Sequence, residues 1–434
     1  MKVEFVEVVT DSRKITPGCL FVALRGERFD AHDFLSEVAA QGAAAVVAER
    51  IPDNFVLPAL IVPNTRIALG EIGRYWRKQF KLPLIAVTGS NGKTTVKEMI
   101  AGVLSVEFGE EFFLATKGNL NNEIGVPQTL FRFNEKHRAA VIELGMNHPG
   151  EIAQLTAIAL PTVGLVNNAQ REHQEFMQGV EAVAKENGAV ILNLPTDGVA
   201  VFPADDEFSE LWRSYAGSRK AITFALNSEQ ATISCTYQAT EFGNKLQVRI
   251  GNDQLKIRLS AAGLHNVRNA LAAVAACHAI GCSNESIVTG LQNFRPVSGR
   301  LQIKQAGNFA VVIDDTYNAN PDSVRAAIDV LAQASGKKIL VLGDMGEVGE
   351  EGSAYHDEIG AYAKRHGVDV LYTLGSLAAH TSTAFGQGAH HFEQLEPLLK
   401  ILDNSVTSST TVLIKGSRFM KMERVVTHLL NSEG

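Results

Sequence analysis

No apolar run in this chain approaches the roughly 20 residues a helix needs to cross a bilayer, so membrane insertion is not expected. The opening stretch MKVEFVEVVTDSRK lacks the basic-then-apolar layout of a secretory leader. Cysteine is scarce. Cys19, Cys235, Cys277 and Cys282 include no CxxC pair, so they read as separate thiols in a reducing compartment, not as staples or zinc ligands. A cytoplasmic protein is expected from these absences. Positive charge is also short: a formal net charge of −7 argues against a nucleic-acid surface but leaves room for a locally basic pocket. Low-complexity tracts and internal repeats are missing. The glycines of VLGDMGEVG (343, 346 and 349) do not have GxGxxG spacing, which weakens a dehydrogenase reading.

At 434 residues, 45% hydrophobic and 20% charged, the chain is too long for one ordinary core, and its texture divides it in three. Residues 1–82 carry short strand-like runs, CLFVAL and AAAVVAE, around a helical HDFLSEVAAQGA. A second helix is expected from Thr65, with Thr65 as N-cap and Leu69, Ile72 and Trp76 at helical spacing. Residues 83–303 open with a strand over 84–87, a glycine turn, and a helix whose Val96, Met99, Ile100, Val103 and Leu104 form one apolar stripe. AAVIEL (139–144) and TVGLVNN (162–168) read as further buried strands of a parallel sheet. KLQVRIGNDQLKIRL reads as an antiparallel edge hairpin about a Gly-Asn turn, and a helix follows over 266–280. Residues 304–434 repeat strand and helix: AVVID, KILVL, DVLYTL and TVLIK are strands, with helices near 322–334, 353–366, 394–402 and 418–430. The expected fold class is α/β in three domains: a small N-terminal one, a central one with a mostly parallel sheet and an antiparallel edge, and a doubly wound C-terminal one.

The densest chemistry is TGSNGKTT, residues 88–95. The strict phosphate-loop pattern GxxxxGK[ST] fails because Val87 holds the first glycine position, but strand, glycine turn and amphipathic helix are all present. Backbone N–H groups around Gly89, Ser90, Asn91 and Gly92 can cradle phosphate oxygens at a positive helix end. Lys93 then supplies a cation to the β and γ phosphates, and Thr94, followed by Thr95, a hydroxyl to Mg²⁺. Glu143 closes a buried strand on the side where a parallel sheet opens, and a metal role fits it. His173, in NNAQREHQEF, follows another strand end and is open to a structural or a ligating role. In VVIDDTYNANPD two aspartates end a strand and Pro321 opens a helix at its first turn. That loop reads either as a capped turn or as a ligand site, since consecutive acids after a buried strand need a ligand, a cation or solvent.

TGSNGKTT, GNLNNEIGVP, ELGMNHPGEI, GLHNVRNALAA, SGRLQ, DDTYNANPDS, VLGDMGEVG and IKGSR, taken in order with DSRKITPGCLFVALRGERFDAHDF at the front, resemble the Mur ligase family over essentially the whole chain. DDTYNANP and KGSR narrow the resemblance to the branch that adds D-alanyl-D-alanine to UDP-N-acetylmuramoyl-tripeptide. The resemblance implies a UDP-substrate domain (1–82), a central ATPase domain (83–303) and a Rossmann-like domain for the incoming dipeptide (304–434). It also implies amide formation through an acyl phosphate, with ATP and Mg²⁺, the two small-molecule substrates, and a monomeric chain. Carried over by matching motif, Lys93, Glu143 and His173 are catalytic, and Thr94, Glu143 and His173 hold metal. Asn269 with Asn266 reads adenine, and Arg300 and Asp315 contact ATP phosphates and ribose. Tyr317, Asn318 and Asn320 lie where nucleotide and dipeptide meet. Ser12 and Arg13 resemble uridine-site residues, Asn119, Asn121 and Asn122 contacts to the muramoyl-peptide, and Lys415, Ser417 and Arg418 the dipeptide carboxylate site.

One departure matters. Many relatives carry a CO₂-modified lysine on the helix after the histidine, and the equivalent position here is Asn187. Lys185 lies about 200° away round a helix, so no carbamylated lysine is expected. A sibling ligase, a folylpolyglutamate synthetase or a non-catalytic nucleotide switch are the alternative readings. Domain closure is expected, because the ligands come from separate domains.

Overall fold

The computed structural model describes residues 3–26, 28–172 and 174–431. Its strands form three sheets. The first is wholly parallel and runs in chain order: β1 (Val8–Val9), β2 (Leu20–Val22), β3 (Ala45–Ala48) and β4 (Ala59–Ile61). The helix Thr65–Arg77 follows, but its cap is Asn64, not the expected Thr65. Asn64 is extended and its side chain accepts from the Arg66 and Ile67 N–H groups. Thr65 is already helical and instead bonds Glu49. This helix docks on the central domain through glycine. A Cβ on Gly70 would lie 2.8 Å from Ile158 and one on Gly73 3.0 Å from Pro127, closer than unstrained packing allows.

The central sheet has nine strands: β5 (Leu84–Thr88), β6 (Phe113–Ala115), β7 (Ala139–Glu143), β8 (Val163–Val166), β9 (Val199–Pro203), β10 (Lys220–Leu226), β11 (Ile233–Thr240), β12 (Gly243–Ile250) and β13 (Asp253–Leu259). Their order is β13-β12-β11-β10-β9-β8-β5-β7-β6. The pairs from β6 to β11 are parallel, whereas β11–β12 and β12–β13 are antiparallel. The expected hairpin is therefore the outer part of a three-stranded antiparallel edge. The expected apolar stripe of helix Lys93–Phe108 is wholly buried, against a core shared with the alanine-rich helix Leu264–Ala279. Strand order reverses at β5, which has β7 on one side and β8 on the other. A crevice opens at such a switch point beyond the strand C-termini, here beyond Thr88, Glu143 and Val166.

The third sheet holds β14 (Gln302–Gln305), β15 (Val311–Asp315), β16 (Lys337–Gly343), β17 (Val370–Leu374), β18 (Ala389–Phe392) and β19 (Thr410–Lys415), in the order β14-β15-β19-β16-β17-β18. Only β14 runs antiparallel. β18 and the helix Ala378–Phe385 were not anticipated. Their small and polar residues, with His390 and His391 inside the strand, give neither a two-residue nor a 3.6-residue apolar period.

Candidate functional site

β5 ends at Thr88 in a turn that needs glycine twice: Gly89 has φ +135° and Gly92 φ +81°, conformations that side chains resist. The turn is braced throughout. Asn187, buried on helix Val180–Leu192, accepts from the Thr88 hydroxyl and from Gly89 N at 2.9 Å. From the segment after β8, Asn168 O accepts from Ser90 N (3.2 Å) and Asn168 Oδ1 from Asn91 N (2.9 Å). Asn167 and Asn168 donate through Nδ2 to Asn91 O at 2.8 and 2.9 Å. Gln170 N donates to Ser90 Oγ (2.8 Å), and Asn91 Nδ2 to Gln170 Oε1 (2.7 Å). The N–H groups of Gly89, Ser90 and Asn91 thus already have protein acceptors. The cradle expected of the whole glycine turn narrows to the first-turn N–H groups of helix Lys93–Phe108, which have no intrahelical acceptor.

Lys93 opens that helix. Its ammonium donates to Gly89 O (2.5 Å), Ser90 O (3.1 Å) and Glu172 Oε1 (2.7 Å), which engages all three of its protons. Thr94 and Thr95 face the same cavity. Glu143, at the end of β7, is 3% exposed. Its Oε1 accepts from Asn121 Nδ2 at 2.8 Å, while Oε2 is buried with no hydrogen-bond partner among the described residues. His173 lies outside the described residues. Lys185 is exposed and paired with Glu181 at 2.7 Å, so it does not reach the turn that Asn187 holds.

A chain of carboxamides continues across the site. Asn167 Nδ2 donates to Asn269 Oδ1 (2.9 Å), Asn269 Nδ2 to Asn266 Oδ1 (3.1 Å), and Asn266 Nδ2 to Ala262 O (2.8 Å). In the other direction Asn320 Nδ2 donates to Asn91 Oδ1 at 2.9 Å. Asn320 also caps helix Pro321–Gln333, accepting from Ser323 N at 2.8 Å, and so ties the C-terminal domain to the phosphate loop.

A cavity of about 1250 Å³ gathers these groups, with walls from all three domains. It brings together Ser90 to Thr95, Asn119, Asn121, Asn122, Glu143, Asn266, Asn269, Arg300, Asp315, Tyr317, Asn318, Asn320 and Lys415. Several of them already bond one another. The Arg300 guanidinium sits 4.0 Å over the Tyr317 ring. Lys415 Nζ pairs with Asp315 Oδ2 at 2.6 Å and donates to Asn318 O at 2.8 Å, and Asp315 Oδ1 accepts from Leu301 N at 3.1 Å. Asn122 Oδ1 accepts from Ile124 N (3.2 Å) and Gly125 N (2.9 Å) where helix Gly125–Leu130 begins.

Five of the expected site residues lie off this cavity, Gly89 in the turn itself among them. Ser417 is buried behind it, accepting from Gly346 N (2.6 Å) and donating to Ala319 O (3.2 Å). Arg418 is exposed and paired with Glu423 at 3.2 Å. Ser12 and Arg13 stand on the N-terminal domain, where Arg13 grips Asp11 through Nε and Nη2, both at 2.8 Å. Sequence reasoning also missed cavity residues: Arg66, Arg171 and Glu172. Arg171 bridges domains, bonding Asp322 and Glu358 at 2.6 Å each and lying 5.3 Å from the Tyr355 ring. The hydrogen bond from Arg171 holds the Glu358 carboxyl below the usual range, against its partial burial. The available signal was the polar run NNAQRE placed directly after a buried strand.

Three family models match this chain: the Mur ligase family catalytic domain over residues 4–74, the Mur ligase middle domain over 87–277, and the Mur ligase glutamate ligase domain over 299–418. UDP-N-acetylmuramoyl-tripeptide–D-alanyl-D-alanine ligase of Escherichia coli is 42% identical over 96% of this chain and 92% of its own length. The crystal structure of MurF from Acinetobacter baumannii superposes with a TM-score of 0.92 at 36% identity, covering 98% of this chain and 93% of that one. MurF ligase from Thermotoga maritima, crystallised with ADP, gives a TM-score of 0.89 at 26% identity over 98% and 96%.

Proposed function

The chain belongs to the Mur ligase family, and from that premise we infer the reaction its cavity serves. The protein joins D-alanyl-D-alanine to UDP-N-acetylmuramoyl-tripeptide with ATP, in peptidoglycan synthesis. The observation that carries the residue-level reading is a single cavity shared by Lys93, by Asn119, Asn121 and Asn122, and by the strand ends at Asp315 and Lys415. Nucleotide, muramoyl-peptide and dipeptide can meet only where those three groups meet.

A free carboxylate is a poor acylating group because oxide would have to leave. Transfer of the γ-phosphoryl group makes it an acyl phosphate, and the dipeptide amine then displaces phosphate. Two anions must approach for the first step, so the protein's task is electrostatic. Lys93 places a cation against the transferring group, and the first-turn N–H groups of its helix hold the neighbouring phosphates. Asn266 and Asn269 present carboxamides to adenine, and the Arg300–Tyr317 pair closes the nucleotide side. Asn121 orients Glu143 through the 2.8 Å bond. Lys415 offers the dipeptide carboxylate a cation that Asp315 holds in place.

The residues present fit a divalent cation. Glu143 Oε2 is a buried oxygen lacking a hydrogen-bond partner among the described residues, and the Thr94 hydroxyl shares its cavity, a hard-oxygen donor set that suits Mg²⁺ completed by water and phosphate. When bound, Mg²⁺ would neutralise phosphate charge during transfer. His173 is the family's further candidate ligand. With Asn187 at the lysine position, the site needs no carbamate. ATP use fits a cytoplasmic enzyme, and no helix of the described residues is long and apolar enough to cross a membrane.

ADP release measured with each substrate omitted in turn tests this reading. Release should require both UDP-muramoyl-tripeptide and D-alanyl-D-alanine, with product mass giving the pentapeptide. Equal release without either would make the protein a nucleotide hydrolase or switch instead.

A further inference from the structure

Lys93 cannot take a phosphate as the protein stands, because its three protons are engaged by two loop carbonyls and Glu172. The carbonyls belong to the turn itself and are compatible with a phosphate alongside. The Glu172 carboxylate is different. It is an anion in direct contact with the ammonium at 2.7 Å at the cavity wall, with Glu172 buried and Lys93 mostly so. It holds the place that a phosphate oxygen would fill. Two anions sharing one partly buried cation compete, and in a partly desolvated cleft that competition is strong.

Exchange leaves a second demand. Once Lys93 turns to the nucleotide, the Glu172 carboxylate gives up its lysine contact beside added negative charge, a cost that a nearby cation lowers. Thr94 and Glu143, whose Oε2 has no hydrogen-bond partner among the described residues, line the same cavity. We propose that Glu172 is a positioning residue that stands in for phosphate on Lys93 and, when nucleotide displaces it, passes to the divalent cation that accompanies the nucleotide. The same side chain keeps the lysine aligned in the resting protein and makes tight nucleotide binding conditional on the metal. This rests on the reading of Lys93 as the phosphate cation.

Calorimetric titration of the full-length protein with ADP, in EDTA and in Mg²⁺, tests the proposal without turnover. Its readout is the ratio of the two dissociation constants. Glu172→Gln keeps the acceptor for Lys93 but removes the charge. It should bind ADP more tightly in EDTA and lower the metal-dependence ratio by about tenfold, the scale of one charge contact in a medium of intermediate dielectric. Glu172→Asp keeps the charge and should retain most of the ratio, which separates charge from shape. An unchanged ratio in Glu172→Gln, weaker ADP binding in EDTA, or the same loss in Glu172→Asp would each overturn the proposal. If the unmodified protein failed to bind ADP at all, the reading of the phosphate loop itself would fall.

Discussion

At the β5 end of the cavity, the side chains singled out from the sequence face the space a nucleotide needs. At the β15–β19 end, most of them bond each other. Lys93, Thr94 and Glu143 come from one short turn and one strand end, and each reaches the cavity from a fixed backbone. Asp315 and Lys415 close the adjacent strands β15 and β19, and Asn320 and Ser417 follow in the loops beyond; these residues must also hold together, so Asp315 pairs with Lys415, Asn320 caps a helix, and Ser417 joins two loops. A motif on a strand-to-helix turn is thus placed by its own backbone, and the partner it must exchange for a ligand is a single carboxylate, Glu172 on Lys93. A polar motif between two loops first has to satisfy the loops.

The largest effect should come from the first region. Lys93→Ala removes the cation opposite the transferring phosphoryl group and should lower ligation by about a thousandfold, the scale of losing one preorganised charge-stabilising group. ADP release with both substrates present measures it. A variant within tenfold of the parent would erase the distinction between the two ends.

The second region should respond in stability more than its exposure suggests. Lys415→Met leaves Asp315 buried without its cation, and breaking one partner of such a pair costs about 3–5 kcal/mol. Urea unfolding should show that loss, and the double variant with Asp315→Asn should regain much of it. If Lys415→Met lost only ligation and no stability, Lys415 would serve the dipeptide alone.

Arg171 spans the two regions. Arg171→Ala leaves Asp322 and Glu358 facing the central domain without their shared cation and loosens the seat of the C-terminal domain. Misplacement of about an ångström can cost a hundredfold in rate, so kcat should fall by about ten- to a hundredfold while ADP affinity, set at the β5 end, barely moves. Parallel losses in both would mean that Arg171 supports the phosphate loop directly.

Much of this was legible in the sequence, for identifiable reasons. The stripe of Val96, Met99, Ile100, Val103 and Leu104 has a single period, and all five are buried. The turn at Gly89 and Gly92 has a backbone requirement that composition exposes. Thr65 failed as a cap because Asn64, one residue earlier, offers the same chemistry, and only the extended conformation of Asn64 distinguishes them. Glu172 and Arg171 were invisible because their partners lie 79 and 151 or more residues away, and charge alone does not say which way a side chain turns.

The smallest expected effect sharpens the second region. The loop after β16, which carries the second half of VLGDMGEVG, is held by His356 on helix Gly352–Arg365. His356 is fully buried, donates from Nδ1 to Gly352 O at 2.7 Å, and accepts at Nε2 from Met345 N at 3.1 Å. Burial pushes its pKa below the ordinary 6.5. A proton could be added only at Nε2, where it would break the bond to Met345. The neutral ring is therefore the folded form. Its contribution is fully present above pH 6.5 and is lost as pH falls from there towards the lowered folded pKa, because the unfolded chain then binds the extra proton. His356→Gln has no such proton to exclude. Its unfolding free energy, followed in urea from pH 7.5 to 5, should fall less steeply than that of the parent, by up to about 1.4 kcal/mol per pH unit below 6.5. Parallel slopes would mean that the ring charges as readily in the fold as in the open chain, and that the loop is held by Ser417 and Asp344 instead.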